Sequence, residues 1–252
     1  MCGIWACLDL QCRSKSGVVS KERHNQTEAS STWRLLASRG PDHISRIDIL
    51  DGRVSFVAAV LHLRGTQLCP QPHVHAETGN ILLWNGECFA GSPDVSLDEN
   101  DTEKLLSFLC GHELAKGEDV ARAFSGIHGP YAFIFYLAHQ RTLYFGRDPL
   151  GRRSLLAQQD LTSGRISISS VAPFGNNSLE NIIIKDKEEK QAGEEDLKIN
   201  SSLDAAASES PGSAGQQQKG SSSEWIELPV TGIFSLPCDQ DLFCSEGPAG
   251  PP

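Results

Sequence analysis

Short apolar segments separated by turn residues recur along residues 1–174, and they restrict this chain to a fold with several short strands. β-branched and aromatic residues concentrate in these segments, each of which has the length of a strand. The predicted strands are 3–10, 54–63, 80–84, 131–137, 142–147, 154–157 and 166–171, with an extended segment or strand pair at 225–236. Because the helix-type segments lie between the first and last strands, the pattern favours an α+β fold with stacked antiparallel sheets.

Three segments have the composition and end signals of helices. Residues 20–38 contain helix formers and are followed by Arg39-Gly40-Pro41-Asp42, where glycine suits a C-cap and proline cannot continue the helix. Asn100 with Glu103 three residues later resembles a capping box, and it precedes an apolar face at 105–109. A third, short helix is predicted over 118–125.

The composition changes between residues 175 and 223. This segment is rich in Glu, Lys, Ser, Gln, Asn and Gly and contains no aromatic residue. Such a segment cannot bury enough apolar surface to offset the entropy lost on ordering. We therefore predict a disordered insertion at 175–223 and a disordered tail at 238–252, so that the folded domain comprises residues 2–174 and 224–237.

Composition also excludes several classes of function. The formal net charge of −10 argues against a nucleic-acid-binding protein, which needs a lysine- and arginine-rich face. No segment reaches the roughly 18 apolar residues of a membrane helix, and the amino terminus lacks the basic region of a signal peptide. The eight cysteines have irregular spacing, which favours free thiols in a reducing compartment. A cytoplasmic protein is expected.

Cys2 is the first candidate for chemistry. A methionine followed by a small residue is normally trimmed, which would leave a cysteine with a free α-amine. The reference pKa values of the thiol and amine are about 8.5 and about 7.7–8.0, so the amine can accept the thiol proton and later return it. A metal at Cys2 and Cys7 is not expected, because a strand would separate them by about 17 Å. Taken alone, Cys2 fits an unremarkable strand start better than a catalytic site.

Other polar residues allow two interpretations each. Asn85-Gly86 is a strong hairpin-turn signal, but the Asn85 amide and the Gly86 N–H could also form an oxyanion hole. Arg64 could be a solvated arginine or a bidentate clamp for a carboxylate. Asp101 suits a helix start and could also bind an ammonium group. Together, a carboxylate clamp and an ammonium acceptor would recognise an α-amino acid.

Two arginine-containing segments favour structural interpretations. Residues 146–151 have the pattern of a strand followed by a proline turn. Arg152-Arg153 is interpreted as a pair of solvated side chains. Neither segment is therefore included in the predicted site.

The order of these motifs resembles the class II glutamine amidotransferase domain of the asparagine synthetase family, which belongs to the N-terminal nucleophile hydrolases. The segments that carry the resemblance are Met1-Cys2-Gly3-Ile4, Arg39-Gly40-Pro41-Asp42, Asn85-Gly86-Glu87, Asn100-Asp101-Thr102-Glu103 and Phe145-Gly146-Arg147-Asp148 with Gly151. The resemblance implies a four-layer αββα fold in which two antiparallel sheets lie between helices.

The resemblance also implies a reaction. Cys2 would be the nucleophile, and Asn85 and Gly86 would form the oxyanion hole. Asp101 would bind the α-amine, and backbone near Glu87 would line the pocket. L-Glutamine would be hydrolysed to glutamate and ammonia, with no metal or organic cofactor.

Two departures from the family pattern leave alternatives open. Leu61-His62-Leu63-Arg64 stands where asparagine synthetases carry an Arg-Leu-Ser-Ile segment, so Arg64 is the nearest, out-of-register candidate for the carboxylate clamp. The sequence contains no Ser-Gly-Gly-x-Asp-Ser phosphate loop, so ATP and Mg²⁺ would be needed only if a synthetase domain is supplied by a longer isoform or another chain. The alternatives are an inactive or weakly active glutamine sensor or protein-interaction module, and a hydrolase acting on another amide.

Overall fold

The computed structural model describes residues 1–9, 25–160, 163–172 and 224–238. The helices are α1 (Asn25–Arg39), α2 (Asp101–Cys110) and α3 (Gly117–Ser125), with a short 3-10 helix at Ala138–Gln140. The strands are β1 (Gly3–Asp9), β2 (His43–Ile49), β3 (Val54–Val60), β4 (His73–Val74), β5 (Ile81–Gly86), β6 (Ala90–Gly91), β7 (Ile127–His128), β8 (Tyr131–Leu137), β9 (Thr142–Arg147), β10 (Leu156–Asp160), β11 (Arg165–Ser169), β12 (Ile226–Glu227) and β13 (Ile233–Pro237). The predicted insertion at 175–223 and, apart from Cys238, the predicted tail lie outside the described residues.

The strands form two antiparallel sheets and one small ribbon. The six-stranded sheet has the order β12-β10-β11-β1-β3-β2, and the five-stranded sheet has the order β13-β9-β8-β5-β4. Strands β6 and β7 pair separately. The prediction of a strand pair at 225–236 is wrong in one respect, because β12 and β13 pair with β10 and β9 in different sheets and not with each other.

The sheets pack face to face and carry helices on their outer faces. Side chains from β1 and β3 meet those of β5, β8 and β9 in one apolar core, in which Phe56 contacts Tyr136 across the interface. On the other side of the five-stranded sheet, a second core forms against α2 and α3. Leu36 of α1 packs on the outer face of the six-stranded sheet. The predicted α+β, four-layer αββα arrangement is confirmed by these three interfaces.

Strands buried on both faces account for the parts of the fold that were predicted most accurately. The strands predicted at 131–137 and 142–147 match β8 and β9, because continuous apolar runs are typical of layers covered on both sides. Strand β2 was not predicted, because it is an edge strand with a largely polar sequence and only partial burial. Its position is set by pairing with β3 over its whole length.

The described residues were also compared with the requirements of a membrane-spanning helix and of a metal site. Within these ranges, no helix is both long and apolar enough to cross a bilayer. The same residues include no group of three or more His, Cys, Asp or Glu side chains arranged to hold a metal ion. The cysteines in them are free thiols.

Candidate active site

A pocket lies where the first residues of the chain meet the loop after β3 and the end of β5. All residues that the sequence analysis assigned to the site line this one pocket, namely Cys2, Arg64, Asn85, Gly86, Glu87 and Asp101. Met1 also lines it, and the cavity that remains has a volume of about 30 Å³. This is room for about two water molecules.

Cys2 is held at the pocket by a central strand. It directly precedes β1, which pairs with β3 on one side and β11 on the other. Its Sγ lies 3.8 Å from the carbonyl oxygen of Leu61, just after β3. Burial raises the pKa of the Cys2 thiol above its ordinary value. The thiol is therefore protonated at neutral pH and requires a nearby base to become a nucleophile.

Asn85 is a buried amide without a partner. It belongs to β5, where it pairs with Ala132 of β8, so the hairpin-turn interpretation of Asn85-Gly86 is wrong. The side chain is 1% exposed, and neither its Oδ1 nor its Nδ2 has a hydrogen-bond partner among the described residues. Leaving such a group unpaired costs about 1–3 kcal/mol. An amide in this position is available to pair with a polar ligand in the pocket.

Close packing explains the glycine that follows Asn85. A Cβ atom at Gly86 would lie 2.6 Å from the Cβ of Tyr131 and 2.7 Å from the carbonyl oxygen of Pro130. Any larger residue would push the end of β5 away from β8. Glycine therefore keeps the Asn85 side chain and the adjacent main chain at their present place in the pocket wall.

Asp101 is the first residue of α2, and Asn100 caps this helix through its side chain. The Oδ2 atom of Asp101 accepts hydrogen bonds from the indole Nε1 of Trp84 at 3.1 Å and from the backbone N of Cys88 at 3.3 Å. Burial raises the pKa of the Asp101 carboxyl, although these hydrogen bonds and the charge of Arg64 act in the opposite direction. A buried carboxylate with too little positive charge around it is a good acceptor for an ammonium group.

Glu87 adds a second carboxyl group to the same pocket. Its pKa is raised by burial and by the neighbouring Asp101, while Arg64 and Arg153 lower it. Because like charges close together resist simultaneous ionisation, a bound cation would stabilise this pair. The two carboxyl groups therefore favour a ligand that carries a positive charge.

The guanidinium group of Arg64 binds main-chain carbonyls. Its Nη1 donates to Cys88, and its Nη2 donates to Val95 at 2.6 Å and to Ser96 at 3.3 Å. These bonds tie the loop after β3 to the loops that precede α2, so the solvated-arginine interpretation is wrong. Nη2 therefore donates to two carbonyls and Nη1 to one, while the buried Nε has no hydrogen-bond partner among the described residues. The arrangement favours Arg64 as a support of the pocket wall, and its predicted role as a carboxylate clamp stays a prediction.

The Arg39-Gly40-Pro41-Asp42 segment connects α1 to the pocket. A Cβ at Gly40 would lie 2.2 Å from the carbonyl oxygen of Ala59, so only glycine permits this approach to β3. The carboxylate of Asp42 accepts a hydrogen bond from the backbone N of His62 at 2.7 Å, which holds the loop after β3. His62 lines the pocket, and its buried Nδ1 has no partner among the described residues.

Two arginines meet at the sulfur of Met1. Nη1 of Arg153 contacts the Met1 Sδ, and Nη2 of Arg39 lies 3.9 Å from it. Arg153 also lines the pocket. The interpretation of Arg152-Arg153 as a solvated pair is wrong for Arg153, which lines the pocket. Arg152 is exposed and also forms an ion pair with Asp148 at 3.1 Å. No local signal in the sequence distinguishes the two.

The turn after β9 is structural, as predicted. Arg147 is buried and donates to the carbonyl oxygens of Leu228 at 3.0 Å and Gly151 at 2.5 Å. It also forms an ion pair with Glu227 at 2.8 Å. These contacts attach the segment 224–238 to the turn that carries Arg152 and Arg153.

Gln71 is a further pocket residue that the sequence analysis missed. Its side chain is buried and joins two of the predicted site elements. Oε1 accepts a hydrogen bond from the backbone N of Trp84 at 2.7 Å, and Nε2 donates to the Oγ1 of Thr102 at 3.1 Å. Gln71 therefore holds the end of β5 against the start of α2.

Comparison with known proteins agrees with the motifs found in the sequence. The chain is 32% identical to asparagine synthetase domain-containing protein 1 of Bos taurus over 205 residues, which is 80% of this chain. It is 38% identical to the Homo sapiens protein of that name over 62% of the chain and 40% identical to the Gallus gallus protein over 54%. This chain is homologous to part of asparagine synthetase domain-containing protein 1. The matched part covers 24% of the bovine protein and 22% of the human protein, so the chain spans about a quarter of these relatives.

Solved structures show a weaker likeness. A glutamine phosphoribosylpyrophosphate amidotransferase from B. subtilis, complexed with ADP and GMP, has a TM-score of 0.46 and 15% identity over 67% of this chain and 41% of that chain. An allosteric regulatory enzyme of purine biosynthesis has a TM-score of 0.48 and 14% identity, with the same shares covered. Likenesses at this level do not bear on the function of this chain. No protein-family model matches it.

Proposed function

We propose that this chain is a glutamine amidotransferase domain that hydrolyses the side-chain amide of L-glutamine to L-glutamate and ammonia. The observation that carries the proposal is the buried amide of Asn85, which has no hydrogen-bond partner in the part of the chain that the structure describes and lies in a pocket that also holds the Cys2 thiol. A donor that is held in place before a substrate arrives is what stabilisation of an oxyanion requires. The carboxyl groups of Asp101 and Glu87 in the same pocket suit the α-ammonium group of an amino acid.

The first half of the proposed reaction forms a thioester. Removal of Met1 leaves Cys2 with a free α-amine, which takes the thiol proton. The thiolate forms a bond to the amide carbon of glutamine, and the carbonyl oxygen becomes an oxyanion that accepts hydrogen bonds from the Asn85 Nδ2 and the Gly86 N–H. The C–N bond then breaks, and the protonated α-amine returns its proton so that the leaving group departs as ammonia.

The second half regenerates the enzyme. The α-amine accepts a proton from a water molecule, whose oxygen attacks the thioester carbon and forms a second oxyanion in the same hole. The C–S bond breaks, the thiolate of Cys2 recovers its proton from the amine, and glutamate leaves. The balance is one glutamine and one water consumed for one glutamate and one ammonia, with no metal or organic cofactor in these steps.

The longer relatives suggest an acceptor for the ammonia. Their name refers to asparagine synthetase, and this chain spans about a quarter of their length. We place the proposed glutaminase reaction beside an ATP- and Mg²⁺-using synthetase domain, in the same or another chain, that would use the ammonia in asparagine biosynthesis. The cytoplasm, where glutamine and ATP are both available, is the proposed location.

Glutamate release from L-glutamine by the purified chain tests this proposal. Intact mass first establishes that Met1 has been removed. We expect turnover by the parent chain, no turnover by Cys2→Ala, and a kcat reduced by about 10²–10³-fold in Asn85→Ala. A matched control is Asn80→Ala, since Asn80 is also buried but its side chain is paired with Cys110 and Ala138.

Three outcomes separate the alternatives. Loss of turnover in Asn85→Ala but not in Asn80→Ala, at equal folded fractions, supports the oxyanion hole. Tight binding of glutamine without turnover by a trimmed, folded parent chain would instead support the glutamine sensor, a function favoured by the raised pKa of the Cys2 thiol. Turnover that survives in Cys2→Ala would contradict the proposed nucleophile.

A further inference from the structure

We propose that Arg153 binds the α-carboxylate of the substrate, and that the side chain of Met1 occupies this carboxylate site until Met1 is removed. This inference rests on the proposed function, because it assigns the recognition of an α-amino acid in the same pocket. Arg153 takes the carboxylate-binding role that the sequence analysis gave to Arg64, whose terminal nitrogens donate to the carbonyls of Cys88, Val95 and Ser96.

The first argument is the set of partners that Arg153 has. Its Nη1 contacts the sulfur of Met1, and a thioether is only a weak acceptor. Its Nε is buried and has no hydrogen-bond partner among the described residues. Within the same ranges, no carboxylate lies at ion-pair distance from this guanidinium group. A half-buried guanidinium with such weak partners is available to an anion.

The second argument is position. Arg153 lines the pocket together with Cys2, Glu87 and Asp101. Its charge acts on Glu87 and on the amino terminus of the chain. An α-amino acid carries its carboxylate and ammonium on one carbon atom, so its two binding groups must face the same small space. Arg153 and the carboxyl pair of Glu87 and Asp101 meet this requirement.

The third argument concerns Met1 itself. Its sulfur is the group that Arg153 contacts, and Nη2 of Arg39 also lies 3.9 Å from it. Two cationic side chains therefore approach one weakly electron-donating atom. Removal of Met1 would free the α-amine of Cys2 and the donors of Arg153 in the same step. Processing would thus expose the base and the carboxylate site together.

The chemistry of a guanidinium group favours Arg153 over His62, another pocket residue with a ring nitrogen that has no partner among the described residues. A guanidinium group presents two parallel N–H donors that match the two oxygens of a carboxylate, and it stays charged at all relevant pH values. The two ring nitrogens of an imidazole point in different directions and cannot form such a parallel pair. Replacement of Arg153 by lysine keeps the charge but loses the paired donors.

Ligand binding to the Cys2→Ala chain tests the inference independently of hydrolysis. This variant cannot form a thioester, and a small residue at position 2 still permits removal of Met1, which intact mass verifies. Calorimetry compares L-glutamine with 4-aminobutanamide, which is glutamine without its α-carboxylate. Arg153→Ala should weaken glutamine binding on the order of 10- to 100-fold and leave the binding of 4-aminobutanamide unchanged, with Arg153→Lys in between.

Control variants make the result specific. Arg122→Ala removes an arginine on α3 whose side chain is 76% exposed, and it should change neither affinity. An equal loss of affinity for both ligands in Arg153→Ala would mean a merely structural role and would overturn the inference. The inference is also overturned if His62→Ala, rather than Arg153→Ala, removes the preference for glutamine, or if the trimmed chain binds no glutamine.

The two proposals fail in different ways. Absence of glutamate release by the parent chain, with glutamine binding that depends on Arg153, would overturn the hydrolase and support the carboxylate site. Glutamate release with an unchanged KM in Arg153→Ala would overturn the carboxylate site and support the hydrolase.

A chain that retains Met1 should bind glutamine at least 10-fold more weakly than the trimmed chain, on the order of a 1.4 kcal/mol difference. Equal binding would contradict the role of Met1.

Discussion

At the scale of single residues, Asp101 is a pocket residue that lowers the stability of the fold and is proposed to bind the ligand. Its carboxyl group accepts hydrogen bonds from Trp84 and Cys88, yet burial raises its pKa. A carboxyl whose pKa is higher in the folded chain than in the unfolded chain destabilises the fold once it is ionised. Asp101 therefore lowers the free energy of unfolding at neutral pH, and the proposed binding of an ammonium group would be the functional reason for its presence.

Replacing Asp101 by asparagine should separate these two effects. Because the Asn side-chain oxygen can still accept from Trp84 and Cys88 without a charge to desolvate, Asp101→Asn should unfold at an equal or higher temperature than the parent at pH 7. Its stability advantage should vanish below about pH 4, the ordinary carboxyl pKa, and should grow as the pH rises above it. Thermal unfolding across this pH range measures the effect, while glutamine binding should be lost. A Tm lower by several degrees at pH 7 would contradict this account.

At the scale of elements, the turn after β9 depends on one buried carboxylate. Asp148 is fully buried, and it accepts hydrogen bonds from the backbone N of Tyr131, Leu150 and Arg152 and from the Arg152 side chain. Burial acts to raise the pKa of Asp148, but these donors outweigh it and lower the pKa. The turn therefore attaches β9 to β8 and directs the chain toward Arg153.

Asp148→Asn should lower the free energy of unfolding by about 2–4 kcal/mol, because an amide cannot accept at both of its ends. The pKa of Asp148 is lower in the folded chain than in the unfolded chain. Its contribution to the free energy of unfolding is therefore fully present at pH values above the ordinary pKa of about 3.9, and it is lost as the pH falls through the lower folded-state pKa. The difference from the parent should hence be constant at neutral pH and shrink in acid. Urea unfolding measures it, and the exposed Asp98→Asn variant serves as the control. A difference that increases in acid would refute the assignment.

At the scale of the whole molecule, a segment distant in sequence completes both sheets. Strand β12 adds an edge to the six-stranded sheet and β13 adds one to the five-stranded sheet. Phe234 of β13 stacks on Phe145 of β9 with 5.8 Å between the ring centroids. The carbonyl of Leu228 and the carboxylate of Glu227 bind Arg147. Residues 224–238 therefore belong to the same folded body as the pocket.

Phe234→Ala should lower the free energy of unfolding by about 2–3 kcal/mol, which is less than a fully buried phenylalanine contributes, because the ring is only partly buried. Chemical denaturation provides the measurement. Ile226→Ala is the matched control, since this strand residue is 66% exposed and its loss should change the stability by less than about 0.5 kcal/mol. Equal effects of the two substitutions would show that β13 does not stabilise the domain through Phe234.

The sequence by itself determined the parts of this protein that depend on local pattern. Apolar runs identified β8 and β9, the Asn100 signal located the start of α2, and the order of motifs assembled Cys2, Asn85, Gly86 and Asp101 into one candidate site. The strands and the helix start were predicted correctly because strand burial and helix capping are properties of neighbouring residues along the chain. The grouping of the four site residues came from the family resemblance, and in the structure they line one pocket.

Only the tertiary structure decided which long side chains serve the pocket. The sequence pattern singled out Arg64 as the anion-binding candidate and left Arg153 out of the site, whereas in the structure both line the pocket, and Arg64 donates to carbonyls of a distant loop. The Asn85-Gly86 dipeptide occurs both in turns and in strands. Its strand conformation in this protein follows from pairing with β8, which the local sequence does not show. The physical reason is that a flexible side chain takes its partners from whatever the fold brings within reach, and that choice is not contained in its immediate sequence.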